Sequence, residues 1–297
     1  MHSPQLADNL RRALLQAAIE GKLTERQADD GHAQDLLKQI QAEKAALLKA
    51  GRLKKSKALP EIGEDEKPFA IPENWVWVRL GEIANFTYGH IAKAQDVGDV
   101  RFVRISDIGA DGRLMPENAK YVALNDESKR FLLKKNDLLM ARTGGTYGKT
   151  MVFNEDYPAV YAGFLIKIDF KPMLVNPYYY WHFAQSEVFR SQAAKLVAGS
   201  TQPQFNANSL QLVKMPIPPL AEQARIVAKL DALLAETDAL KAQETALADA
   251  QKNFPKMLRA SLLQAAIEGK LTERESGDGH AQELLQQIQA EKAAQIQ

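Results

Sequence analysis

Apolar residues recur at helical spacing at both ends of this 297-residue chain and at strand spacing through its middle. Leu6, Leu10, Leu14, Leu15, Ala17, Ala18 and Ile19 fall three and four apart, which predicts a helix closed by Gly21 as its C-cap. Ala33, Leu36, Leu37, Ile40, Ala46 and Leu47 predict a second helix, with Asp30 in capping position. Residues 52–57 are basic, residues 61–66 are acidic, and Pro60 and Pro68 flank the latter without any period. That stretch reads as an exposed linker, and its basic run suits either a solvated helix end or phosphate contact. β-branched and aromatic runs then predict strands at 100–105, 137–142, 151–153 and 162–168. Asn176-Pro177 starts a helix expected to run through Tyr180, Phe183, Ala184 and Phe189 to about Leu196. After Pro216-Ile-Pro-Pro219 comes the most regular pattern of the chain: Ile226, Leu233, Leu240, Leu247 and Phe254 lie seven apart, with Leu230 in the alternate register. One apolar seam of this kind predicts a coiled coil through which two chains pair. Thr237, Glu244 and Gln251 make the seam imperfect, and Pro255 is expected to restart or kink the helix.

Residues 10–46 return almost unchanged at 258–294, with about 30 of 37 paired positions identical. One widely separated pair is not a solenoid, which needs roughly three stacked units to bury a core. The repeat therefore serves assembly. Ala17-Ala-Ile-Glu-Gly21 and Ala265-Ala-Ile-Glu-Gly269 are candidate docking surfaces centred on Ile19, Glu20, Ile267 and Glu268, unless the two copies only pack arm on arm.

Of the 22 aromatic residues, all but Phe69 and Phe254 lie within 74–205, so the packed core belongs to the middle of the chain. The expected fold class is α+β: one mixed α/β domain flanked by long helical, coiled-coil arms. Its predicted boundaries are a helical arm at 1–57, a linker at 58–73, the globular domain at 74–215, a coiled-coil helix at 216–254 and a helical repeat of the first arm at 255–297. Hydrophobic residues at 45% are ample for such a core, and a net charge of +1 excludes blanket neutralisation of phosphates. Any nucleic-acid site must then be local; residues 74–215 hold about 17 Lys or Arg against about 13 Asp or Glu. With no cysteine and five scattered histidines, neither thiol chemistry nor a metal site is expected. No apolar run approaches the ~20 residues of a membrane span and the start lacks a leader pattern, so a cytoplasmic protein without membrane contact is expected.

Thr143-Gly-Gly-Thr-Tyr-Gly148-Lys149-Thr150 approaches a phosphate-binding P-loop but has Thr143 where the pattern needs glycine. It reads instead as a Gly-rich turn between strands. That turn either presents Arg142, Thr143, Thr146, Tyr147 and Lys149 to a polyanion or is purely structural. Asn176-Pro177-Tyr178-Tyr179 lacks the second proline with which amino-methyltransferases grip a base, and no Gly-rich methyl-donor loop is present. The amides at 202, 204, 206 and 208 form a polar loop that either reads bases or simply turns the chain. Ser106, His90 and His182 have no nucleophile elbow or acidic partner in sequence, so hydrolytic catalysis is not expected.

Several segments carry a family resemblance. Pro72-Glu-Asn-Trp-Val-Trp-Val-Arg-Leu-Gly-Glu-Ile83, Phe102-Val-Arg-Ile-Ser-Asp-Ile108 and Asp137-Leu-Leu-Met-Ala-Arg-Thr-Gly-Gly-Thr-Tyr-Gly-Lys149 resemble a target recognition domain. Gly199-Ser-Thr-Gln202 to Phe205 and Pro216-Ile-Pro-Pro-Leu-Ala-Glu-Gln-Ala-Arg-Ile-Val-Ala-Lys-Leu-Asp231 resemble its end and the spacer helix that follows. The family is the specificity subunit of type I restriction-modification systems. Its members carry two recognition domains, whereas this chain resembles a half-length form with one.

The resemblance implies a non-catalytic subunit that binds a bipartite double-stranded DNA target as a dimer of halves. It also implies partners: a methyltransferase subunit with S-adenosylmethionine, and a restriction/translocase subunit with ATP and Mg. No cofactor is expected in this chain itself. DNA contact is expected at Arg104, Arg142, Thr143, Tyr147, Lys149, Gln202 and Gln204, and methyltransferase docking on the repeated arms. The helix from Ile226 to Phe254 would span about 43 Å, against ~34 Å per DNA turn, and so suits a ruler between half-sites. The rival reading is a coiled-coil adaptor whose middle domain binds protein.

Overall fold

A computed structural model describes residues 6–51, 59–170, 175–198 and 204–295. The basic run 52–57 and Gln202 lie outside them. The described chain falls into two compact units, one ending at Leu240 and the other beginning at Lys241. In order, the elements are α1 (Leu6–Ile19), α2 (Ala33–Lys49), β1 (Val76–Arg79), α3 (Leu80–Ile83), β2 (Ala84–Tyr88), β3 (Val100–Val103), β4 (Tyr121–Val122), β5 (Asp137–Ala141), β6 (Thr150–Phe153), β7 (Ala159–Tyr161) and β8 (Leu165–Phe170). They continue with α4 (Pro177–Gln185), α5 (Glu187–Val197), α6 (Ala207–Leu210), β9 (Lys214–Ile217), α7 (Leu220–Ile267) and α8 (Ala281–Gln295).

The first unit is built on an antiparallel sheet of order β2-β8-β5-β6, beside a mixed sheet β4-β3-β7 and the antiparallel pair β1-β9. β5 explains why Leu138-Leu-Met-Ala141 is apolar without alternation. Leu138 and Met140 enter the core shared with the helices, while Leu139 and Ala141 enter a second core against Val103, Ala159 and Tyr161. Residues two apart in a strand share a face, so a strand covered on both sides needs apolar residues at every position.

The first arm is not separate from the globule, contrary to the boundaries expected from sequence. Leu15, Ala18 and Ile19 of α1 and Ala33, Leu37 and Ile40 of α2 belong to the same core as Trp75 and the aromatic residues of α4. Polar contacts lock the edges. Arg11 donates to Gln185 at 2.9 Å and pairs with Asp238 at 3.3 Å, and the Ala33 amide donates to the Asn74 carbonyl at 2.8 Å. Asp30 does not cap α2, which begins three residues later; it accepts from the Gln27 amide and from Arg225, at 2.8 and 2.5 Å. The Arg225 hydrogen bond holds its carboxyl below the usual range. Glu222 accepts from Trp75 Nε1 at 2.9 Å, yet burial pushes its carboxyl up.

The linker from residue 59 is strapped down as well. Buried Arg79 donates to the Pro60 and Glu61 carbonyls and pairs with Glu66 at 3.0 Å. Hydrogen bonds from the Gly63 amide, Lys214 and Arg79 lower the Glu66 carboxyl to about 2.

Three further expectations are corrected. The globule runs past 215, because Pro216 and Ile217 pair with Trp77 and Val76. The helix expected from 177 to about 196 breaks at Ser186, whose hydroxyl accepts from the Phe189 amide at 3.3 Å and donates to the Phe183 carbonyl at 2.6 Å. Pro255 lies inside α7, so it does not restart the helix. Proline removes one backbone donor, which water can replace at an exposed site.

The seam is corrected too. Ile226 and Leu230 are buried in the core of their own chain, together with Leu234, so they are not available to a second chain. A straight helix of 3.6 residues per turn places 223, 226, 230, 234 and 237 on one face. Leu233 and Leu240 are therefore only half-buried, and Leu247 and Phe254 are exposed.

The repeat reproduces its local structure in both copies. Gly21 and Gly269 have φ of +71° and +67°, and Lys22 and Lys270 donate to Ala17 and Ala265 at 2.9 and 2.8 Å, which closes each helix in a Schellman turn. The environments differ. Ile19 is buried, so it cannot serve as a docking residue, and Glu20 is half-buried and held by Gln16 and Lys22. Ile267 and Glu268 are exposed.

Candidate nucleic-acid interface

The antiparallel partners β5 and β6 are joined by the Gly-rich turn. Gly148 donates to the Ala141 carbonyl and Ala141 to the Lys149 carbonyl, both at 2.8 Å, so the strands stay paired up to the turn. Gly144 and Gly148 take φ of +71° and +80°, a region costly for other residues, which is why this tight reversal carries glycine. Thr143 bridges to Gln204, and the Phe205 amide donates to the Arg142 carbonyl at 2.8 Å. The turn is thus backed by the polar loop that precedes α6.

Arg142 stands at the exit of β5 with its guanidinium fixed from three directions. Its Nε donates to the Gly163 carbonyl at 3.1 Å, and its Cζ lies 4.9 Å from the Tyr88 ring centroid and 5.6 Å from that of Phe164. Both rings are exposed, so cation–π attraction orients the charge of the half-buried Arg142 near the surface. A cavity of about 380 Å³ opens beside it, lined by Arg104, Ser106, Ile91 and Phe164 among others. Ile91 stands at its mouth almost wholly exposed. Positive charge fixed by aromatic faces next to open apolar surface suits the edge and methyl groups of a nucleic-acid base.

The residues expected from sequence separate into groups. Arg142 and Arg104 line the same cavity, but Arg104 is committed to Asp107 through Nε and Nη2 at 3.3 and 2.7 Å and to the Asn118 carbonyl at 2.9 Å. Its charge is answered within the chain, and its side chain lines the cavity wall. Tyr147 and Lys149 line a different cavity, on the side of α5 and Arg11. Tyr147 packs edge-on against Phe205. Thr143 and Gln204 form the ridge of paired backbone next to the turn. Gly144 and Gly145 are exposed, with nothing near the position of an added Cβ.

Tyr88, Ile91 and Phe164 escaped the sequence reading. Phe164 lies in a run that reads as strand from 162, whereas β8 begins at Leu165, so its exposure is hidden by an apparent β pattern. His182 and Asp231, far apart in sequence, meet at 2.8 Å and tie α4 to α7, a structural contact outside this interface. Among the described residues no group of three or more acidic or histidine side chains could hold a metal ion, and no helix is long and apolar enough to cross a membrane.

Comparison with known proteins places this geometry in context. The profile of a family described as "Type I restriction modification DNA specificity domain" matches residues 72–248. The chain is 31% identical over 246 residues to the type I restriction enzyme EcoAI specificity subunit of Escherichia coli, covering 79% of this chain and 41% of that protein. It is 28% identical over 327 residues to the EcoEI specificity subunit of Escherichia coli, covering 95% of this chain and 54% of that one. The chain thus spans about half the length of the curated relatives it matches. Its fold resembles a chain in a solved structure described as "Structural basis underlying complex assembly and conformational transition of the type I R-M system", with a TM-score of 0.52, 20% identity and coverage of 90% of this chain and 59% of that chain.

Proposed function

The chain belongs to the family of type I restriction-modification DNA specificity domains, and from that premise we propose that its globular unit reads one half of a bipartite DNA target for a modification complex. The observation that carries this reading is the fixation of Arg142 between Tyr88, Phe164 and the Gly163 carbonyl. An arginine held in one orientation loses little side-chain freedom on binding and can meet the O6 and N7 acceptors of guanine together. The ridge of Thr143 and Gln204 and the glycine-tipped turn are placed to follow the phosphate backbone, while Tyr147 and Lys149 extend the surface on the far side of the turn.

In this reading the chain performs no chemistry. It fixes the register at which a methyltransferase subunit, carrying S-adenosylmethionine, flips and methylates an adenine, since a stacked base is out of reach of any active site. A restriction/translocase subunit using ATP and Mg acts on the same complex. Two chains reading two half-sites supply a bipartite target, with Leu247 and Phe254 as exposed residues for their pairing.

The test is selection of bound sequences from a randomised duplex library by the wild-type complex and by Arg142→Ala. The variant should lose about 1–3 kcal/mol, a fall of roughly 5- to 150-fold at matched salt, and relax the preference at one guanine position. Unchanged affinity and an unchanged preferred sequence would remove Arg142 from recognition.

A further inference from the structure

The two copies of the repeat share a sequence but not a setting. Ile19 is 1% exposed and its counterpart Ile267 82%; Leu37 is 8% exposed and its counterpart Leu285 55%. The first copy fills a cradle on the globule that is floored by Trp75 and gated by Asn74, Gln185 and Arg225. The paired residues differ only at positions 12, 13, 27, 28, 29, 35 and 38 of the first copy. Each of those seven is solvent-exposed, and every described buried or half-buried position of residues 10–46 carries the same residue in the second copy. Arg259 and Asp278 preserve the two charges, Arg11 and Asp30, that engage the gate.

A surface shown twice to an outside partner would preserve the exposed residues of the first copy. Exposed positions are kept only in part, 13 of 20 among the described residues, whereas the face that fits the cradle is kept without exception. In the second copy that face is open, with Leu262, Leu263, Ile267, Leu284, Leu285 and Ile288 in solvent. Solvent gives no reason to hold these positions apolar, whereas a cradle does.

We propose that the second copy is a plug for the same cradle, so that residues 258–294 of one molecule dock on a second copy of this chain in the place otherwise held by that copy's residues 10–46. Complementarity fixes this occupant: Gln185 and Arg225 are placed to meet Arg259 and Asp278, the Asn74 carbonyl the Ala281 amide, and the core around Trp75 the apolar face. The described residues of one chain hold two plugs and one cradle, so the plugs compete for it. The resident plug is favoured by its tether, equivalent to an effective concentration in the mM range for a short linker, and exchange grows with protein concentration as in domain swapping. The inference uses none of the residues assigned to DNA and stands or falls apart from that reading.

The absence of cysteine makes disulfide trapping in the full-length chain a direct readout. The pair Asn74→Cys and Ala281→Cys, mildly oxidised, should give a covalent dimer whose yield rises with protein concentration. Moving the second cysteine one residue, as Gln282→Cys, should cut the yield several-fold, because Gln34 at the equivalent position faces solvent. Adding Leu263→Asp and Ile267→Asp should abolish trapping with thermal unfolding unchanged, as both residues are exposed in the single chain. If Asn74→Cys disturbs folding, Gln185→Cys with Arg259→Cys reports the same docking. Equal trapping at 281 and 282, trapping that survives the two aspartates, or no trapping with either pair near mM concentration would overturn the proposal.

Discussion

Residues 10–46 and 258–294 form the same helix, glycine-closed turn and second helix, one copy inside a core and the other in solvent. Even small bonds recur. Gln16 donates to Glu20 at 2.5 Å and Gln264 to Glu268 at 2.6 Å; the Gln27 and Glu275 amides each donate to an aspartate three residues on, at 2.8 Å. Local sequence therefore determines the local shape of this segment, while docking decides what its apolar face is worth. Paired substitutions measure that second quantity directly, since each copy serves as the other's control.

The largest contrast should come from Leu15→Ala against Leu263→Ala. Leu15 is buried, so its truncation leaves a cavity and costs about 3 kcal/mol within a usual span of roughly 2–5, whereas the exposed counterpart should change stability by less than about 0.5 kcal/mol. Urea unfolding of the full chain reads both. Gly21→Ala against Gly269→Ala comes next. Both glycines are left-handed, which costs another residue about 1–2 kcal/mol, but only at Gly21 would a Cβ meet Pro72 at 2.5 Å and Trp75 at 3.2 Å, while nothing lies near Gly269. Gly21→Ala should lower the melting temperature visibly more than its partner.

A smaller and pH-dependent difference is expected from Asp30→Asn against Asp278→Asn. The Asp30 carboxyl is lowered in the folded chain, so its pairing with Arg225 contributes fully above the carboxyl's unfolded value and is lost as pH falls through the lowered folded one. Asp30→Asn should cost about 1.5 kcal/mol at neutral pH and flatten the acid limb of a stability–pH curve. Asp278→Asn should leave that curve unchanged. The smallest effect is expected from writing the second copy's residues into the first at all seven differing positions. Those side chains are exposed, and a change in stability above about 1 kcal/mol would show that they matter to docking after all.

Helices and strands were legible wherever one face or both were apolar. The run 137–142 gave β5, and the terminal repeat gave both helix pairs at nearly the expected residues. What sequence could not supply was the partner of each face. A seven-residue spacing from Ile226 is compatible with pairing between chains, and only the position of Trp75, Tyr179 and Phe183 shows that Ile226 and Leu230 face their own core. At the interface the same limit applied. Arg104 and Arg142 look alike in sequence, yet one is met by Asp107 three residues later and the other by two rings and a carbonyl brought from β2 and the turn before β8. Contacts between distant segments carry that distinction, and no local pattern encodes them.

β5 is gripped by packed side chains above and below, and the turn it carries projects beyond both layers. Such a strand behaves as a stiff stem under an interchangeable head. Residues 144–146 belong to neither packed layer, so new preferences can be explored at this tip without renegotiating the stability of the whole.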